Sequence, residues 1–103
     1  MKESLMSDNI KLMEVFSTSH GAAKTYSLRE IYINPGQVVC LRSEDVFERL
    51  LHEGRLVDGL DKRQKFTRIS VNTSLHQEDI VVIGTLDEVY KKLNFETNRL
   101  LRG

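Results

Sequence analysis

The segment of residues 27–41, SLREIYINPGQVVCL, predicts two strands joined by a tight turn and is compatible with few other local structures. The first part is rich in β-branched and aromatic residues, which favour strands. In the turn, Pro35 fixes its own φ, and Gly36 accepts the positive φ that a tight reversal can require. The apolar residues 38–41 then resume the strand pattern. The segment predicts a small domain whose framework is antiparallel strands.

Strand patterns occur in five segments, which are residues 10–16, 25–33, 37–42, 66–72 and 79–84. The fourth segment alternates, so that Thr67, Ile69 and Val71 are predicted on one face of a sheet. The fifth segment, DIVVIG, is apolar without alternation, which is typical of a central strand covered on both faces. Residues 17–24, STSHGAAK, are small and polar and are interpreted as a loop between the first two strands.

A short helix is predicted between the third and fourth strands. Ser43 is a suitable N-cap, and Glu44 and Asp45 favour the positive end of a helix dipole. Apolar residues with helical spacing follow, and Gly54 supplies a C-terminal stop. The outer side of this helix is acidic over residues 44–53.

A second helix is predicted to begin at Thr85, which forms a capping box with Glu88. Its apolar stripe consists of Leu86, Val89, Tyr90, Leu93, Leu100 and Leu101. The apolar character extends further than covering a small sheet requires, through Leu93, Phe95, Leu100 and Leu101. This surface is therefore a candidate for docking a second chain, and packing of the tail on its own sheet is the alternative.

These elements predict an α+β domain: a meander of about five antiparallel strands, one short inserted helix and a C-terminal helix packed on the sheet. A chain of 103 residues has room for one hydrophobic core. The domain is predicted to span residues 10–103. Residues 1–9 are polar and lack a pattern, which predicts a disordered or frayed N-terminus.

The charge balance and the cysteine content indicate which classes of partner and which cellular compartment to expect. Fifteen Lys and Arg balance fifteen Asp and Glu, which argues against a protein that coats nucleic acid or an anionic membrane, and leaves little charge repulsion against self-association. The single cysteine, Cys40, lies in an apolar run and is predicted to be a structural thiol. Without a signal-peptide pattern or an apolar stretch of about 20 residues, a cytoplasmic location is expected.

No residue set suggests catalysis, a metal site or a cofactor, so we expect a protein that is not an enzyme. The three histidines, His20, His52 and His76, are scattered and lack partners at ligand spacing. The six glycines never cluster into a phosphate loop. An enzyme would require a fold that brings His20 or His76 beside a carboxylate in a pocket.

The strongest local signal for a ligand is the basic segment, residues 61–68, DKRQKFTR. Arginine is a bidentate phosphate donor, and an aromatic ring can stack on a base. The candidate ligand-binding residues are Lys62, Arg63, Lys65, Phe66 and Arg68. Two other interpretations remain open: a solvated turn whose charges keep an edge strand soluble, or pairing with the acidic helix of the same or a neighbouring copy.

The sequences IYINPGQV (31–38), TRISVN (67–72) and DIVVIG (79–84) resemble two groups of proteins. One is the small FlbD-like proteins of bacterial flagellar operons. The other is a set of small uncharacterised proteins from tailed phages of the myovirus type, to which the run LDKRQKFTR (60–68) is most similar. The resemblance spans about residues 28–95, and the chain departs from the FlbD-like pattern by carrying residues 43–65 between its third and fourth strands.

The phage resemblance implies a fold and a viral origin, and supplies no catalytic residues. We therefore expect a small non-enzymatic phage accessory or interaction protein, located in the host cytoplasm. It is expected to bind a second copy of itself, as a homo-oligomer, or a host or phage protein. No membrane is expected among its partners. The alternative is a nucleotide or nucleic-acid binding module that uses the basic segment.

Overall fold

The computed structural model describes residues 9–20 and 23–102, with side chains described except at positions 19, 20, 23 and 95–102. It has five strands and two α-helices. In chain order these are β1 (Ile10–His20), β2 (Ala23–Ile33), a 3-10 turn (Pro35–Gln37), β3 (Val38–Ser43), α1 (Asp45–His52), β4 (Phe66–Asn72), β5 (Gln77–Ile83) and α2 (Leu86–Arg102). The predicted α+β class is confirmed, with an antiparallel sheet, a short inserted helix and a C-terminal helix. Apart from Asn9, the predicted frayed terminus lies outside the described residues.

The strand order is β2-β1-β5-β4-β3, so the sheet is a β1–β2 hairpin joined to a β3–β4–β5 meander through the pairing of β1 with β5. A single meander through all five strands is not formed, because β2 and β3 are at opposite edges. In a flat sheet, four spacings of about 4.8 Å would separate these edges by about 19 Å. The linking residues 34–37 contain a 3-10 turn, which rises only about 2 Å per residue. The sheet must therefore curl, and Ile33 and Val38 pack in the same core cluster.

The turn at the centre of the opening segment differs from the predicted reversal. Asn34 accepts a hydrogen bond from the backbone N–H of Gly36 at 2.9 Å, and the backbone N–H of Gln37 donates to the carbonyl of Asn34 at 2.9 Å. Gly36 does not adopt a positive φ. The segment is thus a 3-10 link between two strands that do not pair with each other, and Asn34 caps the turn through its own side chain.

The β1–β2 hairpin is longer than the sequence pattern indicates. Its register runs from Ile10↔Ile33 to His20↔Ala23. The predicted loop at residues 17–24 is therefore mostly strand, and this interpretation was wrong. Thr18 and Thr25, which are paired in the register, place their hydroxyl oxygens 2.8 Å apart. Polar β-branched residues pair here without the apolar alternation that marks a half-buried strand.

The inner side of the curled sheet carries the larger core cluster, which consists of Leu12, Ile33, Ile69, Val82, Val89 and Leu93. The last two residues belong to α2, which confirms that the C-terminal helix packs on the sheet. The predicted capping box is also present: Glu88 N–H donates to Thr85 Oγ1 at 3.0 Å, and Thr85 N–H donates to Glu88 Oε1 at 2.9 Å.

The outer side carries a second buried cluster, which consists of Val15, Leu51, Phe66 and Val81. The helix α1 covers it, and Phe47 of α1 contacts Tyr26 and Phe66 edge-on, with ring centroids 5.4 Å and 5.9 Å apart. The N-cap of α1 is Glu44 and not Ser43, which is the last residue of β3. Because Val81 and Val82 are buried on opposite faces, β5 is the doubly covered central strand that the sequence predicts.

Candidate functional site

The outermost residues of the basic segment form a local ion pair. Arg63 donates from Nε and Nη2 to the two carboxylate oxygens of Asp61, at 3.2 Å and 3.0 Å, and its backbone N–H donates to Oδ1 at 2.8 Å. The guanidinium and the backbone N–H hold the pKa of Asp61 below its ordinary value, and the carboxylate raises the pKa of Arg63. Lys62 is exposed beside this pair.

The inner cations of the basic segment pair with the acidic side of α1. Lys65 Nζ lies 3.0 Å from Glu48 Oε1, and Arg68 Nε donates to Glu44 Oε1 at 2.6 Å. Arg68 also lies 3.7 Å from Asp79, through Nη1 and Oδ2. Pairing with the acidic helix of the same chain, one of the interpretations left open by the sequence, is therefore what the structure shows for these two residues.

Phe66 is not placed to stack on a base. Only 1% of its surface is exposed, and its ring is packed against Phe47 in the outer cluster. The structure therefore brings Lys65, Phe66 and Arg68 together with α1, and not with Lys62 and Arg63 around an open cradle. Ligand binding by these five residues stays a prediction, and their contacts give it no support.

Among the described histidine side chains, His76 lies beside a carboxylate on the surface. His76 Nε2 lies 3.1 Å from Glu78 Oε2, but both side chains are at least half exposed beside the β4–β5 turn. The side chain of His20 lies outside the described residues. Among the residues that the structure describes, no group of three or more His, Cys, Asp or Glu could hold a metal ion. None of the described helices is long and apolar enough to cross a membrane.

An apolar groove of about 700 Å³ lies between β3 and α2. It is lined by Pro35, Val38, Val39, Cys40, Leu41, Leu86, Asp87, Tyr90, Leu93 and Asn94. Consecutive strand residues point to opposite faces, so a groove that all four residues 38–41 line must run along the edge of the strand. Val39 and Tyr90 are about half exposed there, at 50% and 53%.

The two edges of the sheet differ in their protection. Within the described residues, β2 pairs only with β1 and β3 only with β4. The β2 edge carries Lys24, Arg29 and Glu30, and charged residues of this kind discourage pairing with another chain. The β3 edge has no charge over residues 38–41, so it is the less protected of the two. This open edge and its groove form the candidate interaction site.

Sequence reasoning missed this site although its residues were noticed. The run VVCL predicts a strand, and Tyr90 belongs to the predicted helical stripe. The missing information was the strand order, because only an edge strand leaves one row of backbone groups open. Cys40, for which the sequence predicts a structural thiol, is half-buried and lines the groove.

Comparison of the chain with protein-family models, with curated proteins and with solved structures gave no match. The resemblance to FlbD-like and phage proteins therefore depends on the sequence segments alone.

Proposed function

We propose that this protein is a non-enzymatic interaction module that associates with a second copy of itself through the open edge of β3. The observation that carries the proposal is the apolar groove along an uncharged edge strand, with Val39 and Tyr90 half exposed. The sequence resemblance to small phage proteins supports an accessory role in the cytoplasm of an infected cell.

The chemistry of the surface favours a protein partner. Removing apolar surface from water favours association, and an unpaired strand edge adds backbone hydrogen bonds. A nucleotide or nucleic acid requires cations instead, and none of the described residues that line the groove is a cation.

A second copy is a partner that the charge balance permits. The chain carries fifteen positive and fifteen negative groups, so two copies approach without net repulsion. An edge strand is also self-complementary when it pairs antiparallel with its own copy about a two-fold axis.

Light scattering coupled to size exclusion, over a range of protein concentrations, tests the proposal. We expect a species of twice the 11.9 kDa chain mass at high concentration. Val39→Glu is expected to weaken association by about tenfold or more, because each equivalent edge would bury a carboxylate without a partner.

Tyr32→Glu is the matched control, since Tyr32 is 60% exposed on the opposite edge strand and is expected to leave the dimer intact. Circular dichroism establishes that both variants are folded. A wild-type protein that stays monomeric at every concentration contradicts the proposal, and so does equal dissociation by the two substitutions.

A further inference from the structure

We infer that two copies join into one continuous ten-stranded sheet, in which the β3 strands pair antiparallel with Leu41 of each copy on the two-fold axis. The inference depends on the proposed self-association and specifies its geometry. It follows from three features of β3: which of its residues direct their backbone groups to the open edge, the position of its bulge and the position of Arg42.

The hydrogen bonds between β3 and β4 show which backbone groups of β3 point to the open edge. The backbone N–H of Glu44 donates to the carbonyl of Phe66 at 3.0 Å, which continues the register of Ser43↔Thr67 and Arg42↔Arg68. Hydrogen-bonded and non-hydrogen-bonded pairs alternate along an antiparallel ladder. Residues 40, 42 and 44 therefore direct their N–H and C=O groups to β4, and Leu41 and Ser43 direct theirs outward.

Three antiparallel registers about a two-fold axis match these outward groups and keep Leu41 opposite a residue of the partner's β3. The first places Leu41 opposite the partner's Leu41. The second places Leu41 opposite the partner's Ser43, and the third places Leu41 opposite the partner's Val39. The axis then passes through Leu41, Arg42 and Cys40, respectively. An axis at Ser43 would set Leu41 opposite the partner's Asp45 in α1, and an axis at Val39 would set it opposite the partner's Gln37 in the 3-10 turn.

The second register is disfavoured by charge. It would set Arg42 directly opposite the partner's Arg42 in a non-hydrogen-bonded pair, where Cα atoms are only about 4.5 Å apart and like charges destabilise pairing. Arg42 already has an acidic neighbour in its own chain, because its Nη2 lies 3.6 Å from Asp79 Oδ2. Each arginine would still face a second one across the axis.

The third register is disfavoured by the β-bulge. The pairing of β3 with β4 shifts between Val38 and Cys40, so Val39 is the extra residue of the bulge. Centring the interface on Cys40 would require Val39 to pair regularly next to the axis. The first register uses only residues 40–42 for its central pairs, and these residues are regular in the β4 ladder.

The first register also extends the groove across the axis. A two-fold axis perpendicular to the sheet keeps equivalent faces together, so both copies of α2 lie on one face of the joined sheet. Leu41 packs on that face, against the inner core, and also lines the groove. The two grooves would therefore meet at the paired Leu41 side chains, and Tyr90 of each copy would lie beside the seam.

Cysteine cross-linking in the full chain tests the register. In a Cys40→Ser background, Leu41→Cys is expected to form a disulfide-linked dimer under mild oxidation, because a hydrogen-bonded pair has Cα atoms about 5.5 Å apart, within disulfide range. Ser43→Cys is the matched control and is expected to stay unlinked, because the two positions would be offset by four residues, about 13 Å along the strands. Rapid linking of wild-type Cys40, or of Arg42→Cys, would overturn the inference in favour of another register.

Hydrogen exchange of the wild-type protein provides a second readout that requires no substitution. The amide of Leu41 is expected to exchange at least tenfold more slowly at concentrations where the dimer forms than in the monomer, because in this register it pairs with the partner's Leu41. A dimer by light scattering without this protection overturns the strand pairing alone. A monomer at every concentration overturns the self-association itself, so the two failures are distinguishable.

Discussion

Arg68 of β4 donates from Nε to Oε1 of Glu44 at 2.6 Å, and this pair fastens the first turn of α1 to the sheet. Glu44 is buried, and its other carboxylate oxygen accepts from the backbone N–H of Val46 at 3.2 Å. Its own backbone N–H donates to the carbonyl of Phe66. One side chain therefore caps a helix and neutralises a partly buried arginine.

Replacing Arg68 should destabilise the fold. In Arg68→Ala the buried carboxylate of Glu44 keeps its capping contact and loses its cation, which costs about 2–3 kcal/mol of unfolding free energy. The expected loss is at the lower end of the range for breaking a buried ion pair, because about a third of the Arg68 side chain is exposed, at 32%. Urea denaturation measures the change. Arg63→Ala is the control, since its exposed partner Asp61 needs no compensation, and an equal loss in both variants would contradict the role of burial.

The Arg63–Asp61 pair should be visible in a pH titration. The side-chain hydrogen bond from Arg63, followed by its backbone N–H, lowers the pKa of Asp61 below its ordinary value of 3.8. Arg63→Ala is expected to return the pKa towards that value, as measured by carboxyl carbon NMR. Because the folded-state pKa is depressed, the contribution of the pair is present above pH 3.8 and is lost as the pH falls through the folded-state pKa. An unchanged titration in the variant would show that the two side chains do not pair in solution.

Local chemistry made several elements predictable. The alternation of Thr67, Ile69 and Val71 predicted the correct faces of β4, because successive residues of a strand point to opposite faces and the sequence shows this period directly. The capping box of Thr85 and Glu88 likewise fixed the start of α2, since its partners are three residues apart. Such signals need no knowledge of the rest of the fold.

Long-range pairing was not predictable, and the candidate site depends on it. The pairing of Glu14 with Val82 and of Val15 with Val81 joins the two ends of the chain, and no local pattern specifies it. This pairing leaves β3 at an edge. The same limit applies to Phe66, whose charged neighbours suggested exposure, although Phe47 of the inserted helix covers its ring.

Gly84 should tolerate substitution less well than Gly54. Both have a positive φ, at 131° and 71°, but a Cβ on Gly84 would lie 3.2 Å from Cγ2 of Val89, whereas a Cβ on Gly54 would meet no atom within 4 Å. Gly54→Ala is expected to cost about 1 kcal/mol from backbone strain alone. Gly84→Ala adds crowding against the buried Val89 and is expected to cost about 2–3 kcal/mol. Thermal or urea unfolding compares the two variants, and an equal loss would show that the helix moves freely away from the added methyl group.

Nucleic-acid binding by the basic segment should be weak or absent. Lys65 and Arg68 are held by carboxylates of α1 at 3.0 Å and 2.6 Å, so a phosphate would have to displace Glu48 and Glu44 before it gained those contacts. We expect no saturable binding of a fluorescent single-stranded oligonucleotide at physiological salt. Glu48→Gln, which frees Lys65 without removing any cation, is expected to raise weak binding at low salt severalfold.

A matched comparison decides between electrostatic masking and true binding. If the basic segment binds nucleic acid, wild-type affinity should fall with salt at a slope of about −0.7 per phosphate contact, and Arg63→Ala should reduce that slope. Measurable wild-type binding with that behaviour would contradict the expectation that Glu48 and Glu44 keep Lys65 and Arg68 from a phosphate. Binding that is absent in the wild type and appears only in Glu48→Gln would support it, because the carboxylate and not the lack of cations would then be the obstacle.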